Sequence, residues 1–437
     1  MLTRLELDGF KAFRNFAMDF RPFMVFIGPN GVGKTNLFDA ITLLARLAEG
    51  DSLEDAMLHA RGEPLELFTL RADGSRAERI QLAAELLLDR EVMGANDKPF
   101  APTNTRLRYE LTIERRGEGA HITAESLLPL PEGKDAWYKD NIPSKARKAW
   151  LLREKRPPYI ATVGEEAQTT IYRNQDTVAG GREGMKVGDL QKSALGTADP
   201  VRYPTIQAVR QAMQNWRFLR FNAEALRQPC AADAAPKLHA DGANLPIVLA
   251  RLLRDQPEAA ASIAQVMQTM LPNVKAVEVK TLSGGDRLLI ELIGQDGTRF
   301  SSRVLSDGTL RLLGLAALRY DAKQRGVICF EEPENGIQPL RLADMVNVLY
   351  ALALDLEREA PEGGQNPPLR QVLVNTHSPG ILSSVPRESV HYFGMRAADG
   401  GQVTYNVPVR PELIPDEQDR YRTWLQVQRE LGDNTSQ

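Results

Sequence analysis

Residues 28–35 read Gly-Pro-Asn-Gly-Val-Gly-Lys-Thr, a spacing of glycines, lysine and hydroxyl that can hold the phosphates of a nucleotide. The glycines let backbone N–H groups curl around the α- and β-phosphates. Lys34 can reach the β- and γ-phosphates, and the Thr35 hydroxyl can bind Mg²⁺. An apolar strand at 24–27 precedes the loop and a helix follows it, so the positive helix end also faces the anion. The sequence therefore predicts a site for a nucleoside triphosphate and Mg²⁺ at Gly28, Pro29, Asn30, Gly31, Val32, Gly33, Lys34, Thr35 and Asn36.

Two carboxylates, Glu331 and Glu332, follow an apolar strand at 327–330. This arrangement can place one acid in the Mg²⁺ shell and the other against an attacking water. We assign Glu331 to the metal, together with Thr35, and Glu332 to the general base. Two acids after a strand are also typical of an ordinary solvated strand end. The phosphate loop upstream favours the catalytic interpretation.

His377 follows another apolar strand at 372–374. Its ring could hydrogen-bond the γ-phosphate or the lytic water, although a single histidine at a strand end is more often structural. The chain has only five histidines. The position of His377 after a strand, downstream of the double acid, favours a functional role. The predicted catalytic residues are therefore His377 together with Lys34 and Glu332.

Two short segments compete for the role of a second anion-binding motif. Leu305-Ser306-Asp307-Gly308-Thr309 precedes an apolar helical pattern, and a serine at a helix start leaves backbone N–H groups free for an anion. The segment 282–286, Leu-Ser-Gly-Gly-Asp, is flanked by alternating apolar residues that predict a hairpin turn. We therefore assign the motif to Ser306, Asp307 and Gly308.

The phosphate loop, the Ser-x-Gly motif before a helix, the double acid and the strand-end histidine, in this order, resemble the ABC-type ATPase heads of the RecF, SMC and overcoming-lysogenization-defect group. The opening at 9–16, Gly-Phe-Lys-Ala-Phe-Arg-Asn-Phe, is similar to the N-terminal hairpin of that group. The resemblance covers about 1–115 and 276–395. It implies an α/β fold, an ABC-type P-loop ATPase head with a split two-lobed sheet and flanking helices.

The same resemblance implies that two heads sandwich two ATP molecules. The phosphate loop, Glu331, Glu332 and His377 of one head would face Ser306 and Gly308 of the other, so hydrolysis would require dimerisation. Residues 334–336 would form the loop that crosses between the two sites.

The chain departs from that pattern at three points. Glu331 stands where the group more often has aspartate, and Gln338 stands where related heads often carry histidine. The glutamine that usually senses Mg²⁺ is not evident. Gln81 is a weak candidate, and a polar residue alternating on a strand explains it at least as well.

The distribution of patterns along the chain predicts four regions. Strands at 2–8, 15–20, 79–89 and 106–114 predict an N-terminal lobe over 1–130, and renewed strand and helix patterns predict a C-terminal lobe over 276–400. Between the lobes, helix-like segments at 144–154, 204–219, 244–254 and 258–271 and a Gly-rich stretch at 173–200 predict an inserted, mainly helical subdomain over 131–275 with a loop. Residues 401–437 form a C-terminal extension.

Composition narrows the class of protein. Cys230 and Cys329 are the only cysteines, which argues against a disulfide framework or a zinc cluster. The sequence shows neither a signal-peptide pattern nor an apolar run of about 20 residues, so we expect a cytoplasmic protein without a membrane span. The formal net charge of −3 makes no general case for nucleic-acid binding.

Two local features still allow DNA contact. One is the basic run at 144–148 with Arg153, Lys155 and Arg156, expected on a helix, which also fits a solvated helix face. The other is the aromatic run at 216–221, which could stack on bases but which we expect to pack in the core.

We expect a stand-alone ATPase without a nuclease domain of its own, because the stretch after His377 is short and the insertion lacks heptad repeats. Such heads are similar to ATPase subunits of bacterial antiphage systems. The leading hypothesis is a homodimer or higher oligomer that controls a separately encoded nuclease or toxin. A RecF-like DNA-binding ATPase in repair or recombination is the alternative, and a nucleotide sensor with almost no turnover is a third possibility.

Overall fold

The computed structural model of the chain describes residues 1–94, 98–117, 119–164, 168–176, 180–187, 190–359, 367–398, 401–410 and 422–433. Parts of the expected loop at 173–200 and of the expected C-terminal extension lie outside these residues. The first strands are β1 (Leu2–Asp8), β2 (Phe16–Asp19), β3 (Phe23–Ile27), β4 (Arg79–Leu87), β5 (Val92–Met93), β6 (Pro99–Phe100), β7 (Arg106–Arg116), β8 (Gly119–Pro129), β9 (Ile160–Val163), β10 (Thr170–Asn174) and β11 (Arg182–Lys186). The later strands are β12 (Arg217–Leu219), β13 (Cys230–Ala231), β14 (Val274–Thr281), β15 (Arg287–Gly294), β16 (Arg299–Ser301), β17 (Gly326–Glu331), β18 (Arg370–Thr376), β19 (Val390–Ala398), β20 (Gly401–Arg410) and β21 (Arg422–Thr423).

Helices cover these sheets. The α-helices are α1 (Lys34–Glu49), α2 (Leu53–Leu58), α3 (Trp137–Asn141), α4 (Arg147–Trp150), α5 (Pro204–Gln214), α6 (Ala223–Arg227), α7 (Leu245–Asp255), α8 (Pro257–Met270), α9 (Asp307–Tyr320), α10 (Leu342–Leu352) and α11 (Trp424–Asp433). In the described part of the chain, no helix is both long and apolar enough to cross a lipid bilayer.

The sheet that carries the site has the order β12-β17-β18-β3-β19-β20-β21. Its strands from β12 to β19 pair in parallel, and β20 is antiparallel to β19. Strands buried on both faces read as continuous apolar runs, and all five residues of β3 are buried. Because parallel strands end at the same edge, the segments after β3, β17 and β18 meet there.

A second sheet is antiparallel and has the order β11-β10-β9-β8-β7-β4-β1-β2. Its apolar face packs with helix α1, in which Leu37, Ile41 and Leu44 recur at helical spacing. Helix α1 ends at Gly50, whose φ of 97° suits a glycine C-cap. The helix that follows the phosphate loop is thus held between the two sheets. The α/β expectation is confirmed by these sheets and their flanking helices.

The segment at 131–275 is less helical than expected. Residues 160–163, 170–174 and 182–186 extend the antiparallel sheet, and Arg217–Leu219 forms the edge strand of the parallel sheet. These strands are short and bear many polar residues on their open face, so they lack the apolar alternation that reveals a strand in sequence. The helices α5, α7 and α8 lie close to their expected positions. The division into four regions stays a prediction.

The basic run is not a single helical face. Only Arg147–Trp150 is α-helical there, because residues 144–146 form a turn after Pro143 and the helix ends at its C-cap, Leu151. Arg147 donates to the carbonyls of Ile142 and Lys139, and Arg156 donates to carbonyls of the β10 end. The expectation of one basic helix over 144–156 is therefore wrong, and its arginines act largely in local packing.

The aromatic run packs inside the protein. Trp216 and Phe221 are 5% and 8% exposed, and Phe221 lies edge-on to Phe330 of β17. Phe218 lies against Phe38 of α1. These contacts support the core-packing interpretation.

Candidate functional site

The phosphate loop connects β3 to α1 and is supported from behind by the β19–β20 hairpin. A Cβ added to Gly28 would lie 2.2 Å from the Phe393 carbonyl oxygen, and one added to Gly33 would lie 2.4 Å from Thr404 Oγ1. Gly33 also has a φ of 97°, a left-handed conformation that favours glycine. The Thr404 hydroxyl donates to the Val32 carbonyl at 2.9 Å. The two glycines are therefore required by close packing as well as by the curl of the loop.

Lys34, the first residue of α1, is only 6% exposed. Its ammonium group donates to the carbonyls of Gly28 and Pro29 at 2.6 and 2.7 Å. Burial lowers the pKa of Lys34 to about 8, while the nearby carboxylates of Glu332 and Glu334 act in the opposite direction. The Lys34 amine thus lies inside the phosphate loop, where carbonyl oxygens and nearby carboxylates interact with its positive charge.

Thr35 and Glu331 meet at the end of the parallel sheet. The Thr35 hydroxyl donates to Glu331 Oε1 at 3.1 Å, and Asn375 Nδ2 donates to Thr35 Oγ1 at 3.1 Å. Glu331 and Asn375 are direct partners in the β17–β18 ladder, which explains why the three side chains converge. Among the described residues, Asn375 Oδ1 is buried without a hydrogen-bond partner.

The donor set fits Mg²⁺. Hydroxyl, carboxylate and amide oxygens are the hard ligands that this ion prefers. The described residues contain no cluster of three or more His, Cys, Asp or Glu side chains able to hold a metal. Thr35 and Glu331 would therefore hold Mg²⁺ together with phosphate oxygens, in the way that P-loop sites do.

Glu332 and His377 form a direct pair. Nδ1 of His377 lies 2.8 Å from Glu332 Oε1, and Asn335 Nδ2 donates to Glu332 Oε2 at 2.8 Å. Burial alone would raise the pKa of Glu332, but the Asn335 hydrogen bond and the neighbouring His377 outweigh it, so the net pKa is lowered. Glu332 is therefore ionised near neutral pH, as a proton acceptor must be.

The backbone at Glu332 is unusual. Its φ of 49° is left-handed, which costs a non-glycine residue about 1–3 kcal/mol and is concentrated at functional sites. The Glu332 N–H donates to the Asn375 carbonyl at 2.8 Å. This sharp turn directs consecutive glutamates to different partners, Glu331 to Thr35 and Glu332 to His377.

Glu334 is a buried acid that sequence reasoning placed only in the crossing loop. It is 6% exposed and accepts a hydrogen bond from the Thr376 hydroxyl, which in turn accepts from the Ser378 N–H at 2.9 Å. Burial raises the pKa of Glu334, and the Thr376 hydrogen bond opposes the rise. Glu334 thereby holds the Thr376 hydroxyl, which in turn holds the backbone N–H of Ser378, the residue after His377. An acid two residues after the pair was the only signal in the sequence.

Ser306 caps α9, as the motif assignment requires. Its side chain accepts from the Thr309 N–H at 3.3 Å, whereas 282–286 forms the turn between β14 and β15. Asp307 pairs with Arg227. A Cβ on Gly308 would lie 2.9 Å from the Gly336 carbonyl oxygen, so the motif packs against the crossing loop of its own head. Among the described residues, no hydrogen bond or ion pair joins Ser306, Asp307 or Gly308 to the phosphate loop.

Several charged residues around Glu331 were not predicted as part of the site, among them Arg220, whose Nη1 lies 3.9 Å from Glu331 Oε2. Arg61 lies with Nη2 3.3 Å from Glu331 Oε1 and Nε 3.4 Å from Asp39 Oδ1. Lys11 pairs with Asp39 at 2.5 Å and donates to the Arg61 carbonyl at 2.6 Å. Lys11 belongs to the opening motif, which could have indicated it, but nothing in the sequence pattern singles out Arg61 or Asp39.

Gln81 lies on the exposed face of β4, opposite Asp8 and Thr112. Among the described residues, no hydrogen bond of Thr35 or Glu331 involves it. Its role as a Mg²⁺ sensor stays a prediction without support from these contacts.

Two protein-family models match this chain. Residues 1–114 match the family described as "AAA ATPase domain", and residues 208–383 match the family described as "AAA domain, putative AbiEii toxin, Type IV TA system". The second match includes the Ser306 motif, the double acid and His377.

Two curated relatives are named DNA replication and repair protein RecF. The relative from Acidothermus cellulolyticus is 28% identical over 193 residues, which cover 43% of this chain and 47% of that protein. The relative from a Synechococcus species is 27% identical over 207 residues, which cover 45% and 50%. The chain spans about half the length of the curated relatives it matches.

One similar solved structure is an SMC head bound to the C-winged helix domain of ScpA. The similarity covers 93% of this chain and 98% of the chain in that structure, with a TM-score of 0.50. Its sequence identity to this chain is 12%, so the likeness shows the fold alone.

We expect ATP to bind more weakly as the pH rises above about 8, where the free chain loses the Lys34 proton. Bound phosphates favour the charged amine, so the pKa of Lys34 is higher in the complex than in the free chain, and affinity falls between the two values. Calorimetric titration of ATP from neutral to alkaline pH measures this slope.

Lys34→Arg is the matched control, because a guanidinium stays protonated throughout this range. Its affinity should change little with pH, whatever its absolute value. A wild-type profile as flat as that of Lys34→Arg would contradict the role given to the Lys34 charge.

Proposed function

We propose that this chain works as a RecF/SMC-like ATPase of the ABC type, which closes around ATP as a homodimer or higher oligomer and hydrolyses it. The observation that carries the proposal is the meeting of Lys34, the Thr35–Glu331 pair and the Glu332–His377 pair at one edge of the parallel sheet. These are the residue types that phosphoryl transfer to water uses, gathered at one edge of the sheet, which supports the proposal.

In this proposal each side chain has one task. The backbone N–H groups from Gly31 to Thr35 hold the α- and β-phosphates, and Lys34 holds the β- and γ-phosphates. Thr35 and Glu331 hold Mg²⁺, which when bound neutralises charge on the phosphate oxygens. Glu332 accepts a proton from the water that attacks the γ-phosphorus, and the bond to the bridging oxygen of ADP breaks. His377, oriented by Glu332, donates to the γ-phosphate.

The position of the Ser306 motif supports a two-headed site. Ser306 and Gly308 start a helix whose N–H groups suit a phosphate. Asp307 and Gly308 of this motif lie close to residues 336–337 rather than to their own phosphate loop. A second copy related by two-fold symmetry would bring each motif to the partner's nucleotide.

The finer part of the proposal concerns what the ATPase controls. The family matched by 208–383 carries a toxin description in its name, and the chain is organised as an ATPase head without long coiled-coil arms in its described part. We assign it to bacterial antiphage defence, in the cytoplasm, as a subunit that holds or releases a separately encoded nuclease or toxin in step with ATP. The absence of a nuclease domain in the chain itself is part of this proposal.

The alternative is a DNA-binding ATPase of repair or recombination, supported by the name of the two curated relatives. Exposed Lys145 and Lys148 are the candidate phosphate contacts, since Arg147 is occupied by backbone carbonyls. Lys145 also pairs with Glu357 at 3.2 Å, in an exposed ion pair that a phosphate could replace. A sensor with almost no turnover is disfavoured by the ionised Glu332.

Glu332→Gln should trap the ATP-bound assembly. The amide keeps the shape of the side chain but cannot accept the proton, so phosphate release should fall about a hundredfold or more. Mass photometry with ATP and Mg²⁺ should show a larger species that persists in the variant and disperses in the wild type. Glu258→Gln, an exposed site on α8, is the matched control. A Glu332→Gln chain that stays monomeric with ATP would refute the sandwich.

Complementation tests the shared site directly. Lys34→Gln and Ser306→Arg should each abolish hydrolysis alone, because each damages both sites of a symmetric pair. Mixing them places both defects in one site and leaves the other intact, so about a quarter of wild-type activity should return with random pairing. No recovery on mixing, with both variants folded and ATP-dependent pairing retained in wild type, would mean that each head completes its own site.

For the alternative, Lys145→Glu with Lys148→Glu should weaken DNA binding and lower its salt dependence by about one unit of slope per lost phosphate contact. Filter binding or fluorescence anisotropy over a salt series measures this. Lys275→Glu with Lys280→Glu, exposed on β14, controls for net charge. Equal effects of the two double variants, or no effect of either, would remove the support for a DNA site at this segment.

A further inference from the structure

A cationic cavity lies at the opposite end of the parallel sheet from the phosphate loop. It has a volume of about 180 Å³, and its charged lining consists of five basic residues and one acid. The basic residues are Arg217, Lys237, Arg251, Lys323 and Arg325, and the acid is Asp321. Lysine and arginine gathered at one cavity repel each other unless carboxylates or a bound anion compensate.

Carboxylates compensate three of these cations. Arg251 pairs with Asp321, Lys323 lies 3.4 Å from Asp255, and Arg325 lies 3.8 Å from Asp89. Among the described residues, Arg217 and Lys237 form no ion pair. Arg217 donates only to the neutral side-chain oxygen of Gln324, at 3.1 Å. Two positive charges therefore remain beyond the local carboxylates.

Arg251 provides a second, independent observation. It is 9% exposed, and its Nε is buried without a hydrogen-bond partner among the described residues. A buried guanidinium usually satisfies its donors, because an unsatisfied buried donor costs free energy. Burial and the proximity of Arg251 lower the pKa of Arg217, with Asp321 acting in the opposite direction. The mutual repulsion of these cations and the unsatisfied Arg251 donor both cost free energy, and a bound anion would lower that cost.

The place of the cavity separates it from the ATP site. Arg217 begins β12 and Arg325 directly precedes β17, so the cavity lies at the amino ends of strands whose carboxyl ends lead to Glu331 and Glu332. Six residues of β17 put roughly 15–20 Å between the two ends. Asp321 is the C-cap of α9, the helix whose N-cap is Ser306.

We propose that this cavity, termed here the amino-edge cavity, binds one or two linked phosphate groups. Its volume corresponds to about six water molecules, which matches the size of a phosphate or diphosphate group. Arginine forks bind phosphate oxygens in pairs, and Lys237 and Lys323 add mobile point charges at the rim. A ligand here would join α7, the end of α9 and the loop before β17. The proposal is independent of ATP hydrolysis.

Calorimetric titration with inorganic pyrophosphate tests this. The full chain carries Lys34→Gln so that the phosphate loop is weakened, and it should still bind one pyrophosphate. Adding Arg217→Gln and Lys237→Gln should weaken binding roughly tenfold or more, whereas adding Lys275→Gln and Lys280→Gln should leave it unchanged. Loss of binding in Lys34→Gln alone, or equal weakening by both double changes, would overturn the proposal.

Thermal unfolding checks that the variants fold. Pyrophosphate should raise the unfolding temperature of the Lys34→Gln chain and not that of the Arg217→Gln, Lys237→Gln form. Lys323→Gln, which changes a side chain 66% exposed, should give a smaller loss of affinity without a folding risk. Comparable binding of ADP would identify phosphates carried by a nucleotide that extends outward, and binding of pyrophosphate alone would identify a free anion.

Discussion

The alignment of three parallel strands is the constraint on which the site depends. Thr35 and Glu331 are far apart in the chain, and they meet because β3, β18 and β17 are neighbours whose carboxyl ends share an edge. Hydrogen bonding fixes the register, so Glu331 stands beside Asn375 and Thr376 beside Ile27. A slip of one residue would turn these side chains to the other face of the sheet. The chemistry is therefore specified by backbone pairing before any side chain contributes.

The parts of this arrangement that were predictable are those with a local signature. The phosphate loop, the hairpin at 282–286 and the cap at Ser306 each depend on a few neighbouring residues whose turn or helix chemistry is known. The end of an apolar strand likewise marked Glu331, Glu332 and His377. The conformation of these segments depends mainly on their own residues, so it can be predicted from their local sequence.

Features that depend on distant partners were not predictable in the same way. Arg61 contacts the site only because the fold places it between Asp39 and Glu331. The strands at 160–186 form because a sheet edge is available for them to pair with. Glu334 reads as one more acid after a strand, whereas its burial beside Thr376 makes it part of the support of His377. Long-range pairing decides these roles, and a single sequence does not display it.

The support of the phosphate loop also bears on synthesis of the chain. In the parallel sheet β3 pairs with β18 and β19, and Gly28 and Gly33 pack on Phe393 and Thr404. All of these partners come from the last fifth of the sequence. A chain emerging from the ribosome therefore has its loop sequence early but can complete its binding conformation only after residue 404 is free to pair. Nucleotide binding becomes possible only after these later strands have been synthesised, so shorter nascent chains are not expected to sequester ATP or to pair with finished heads.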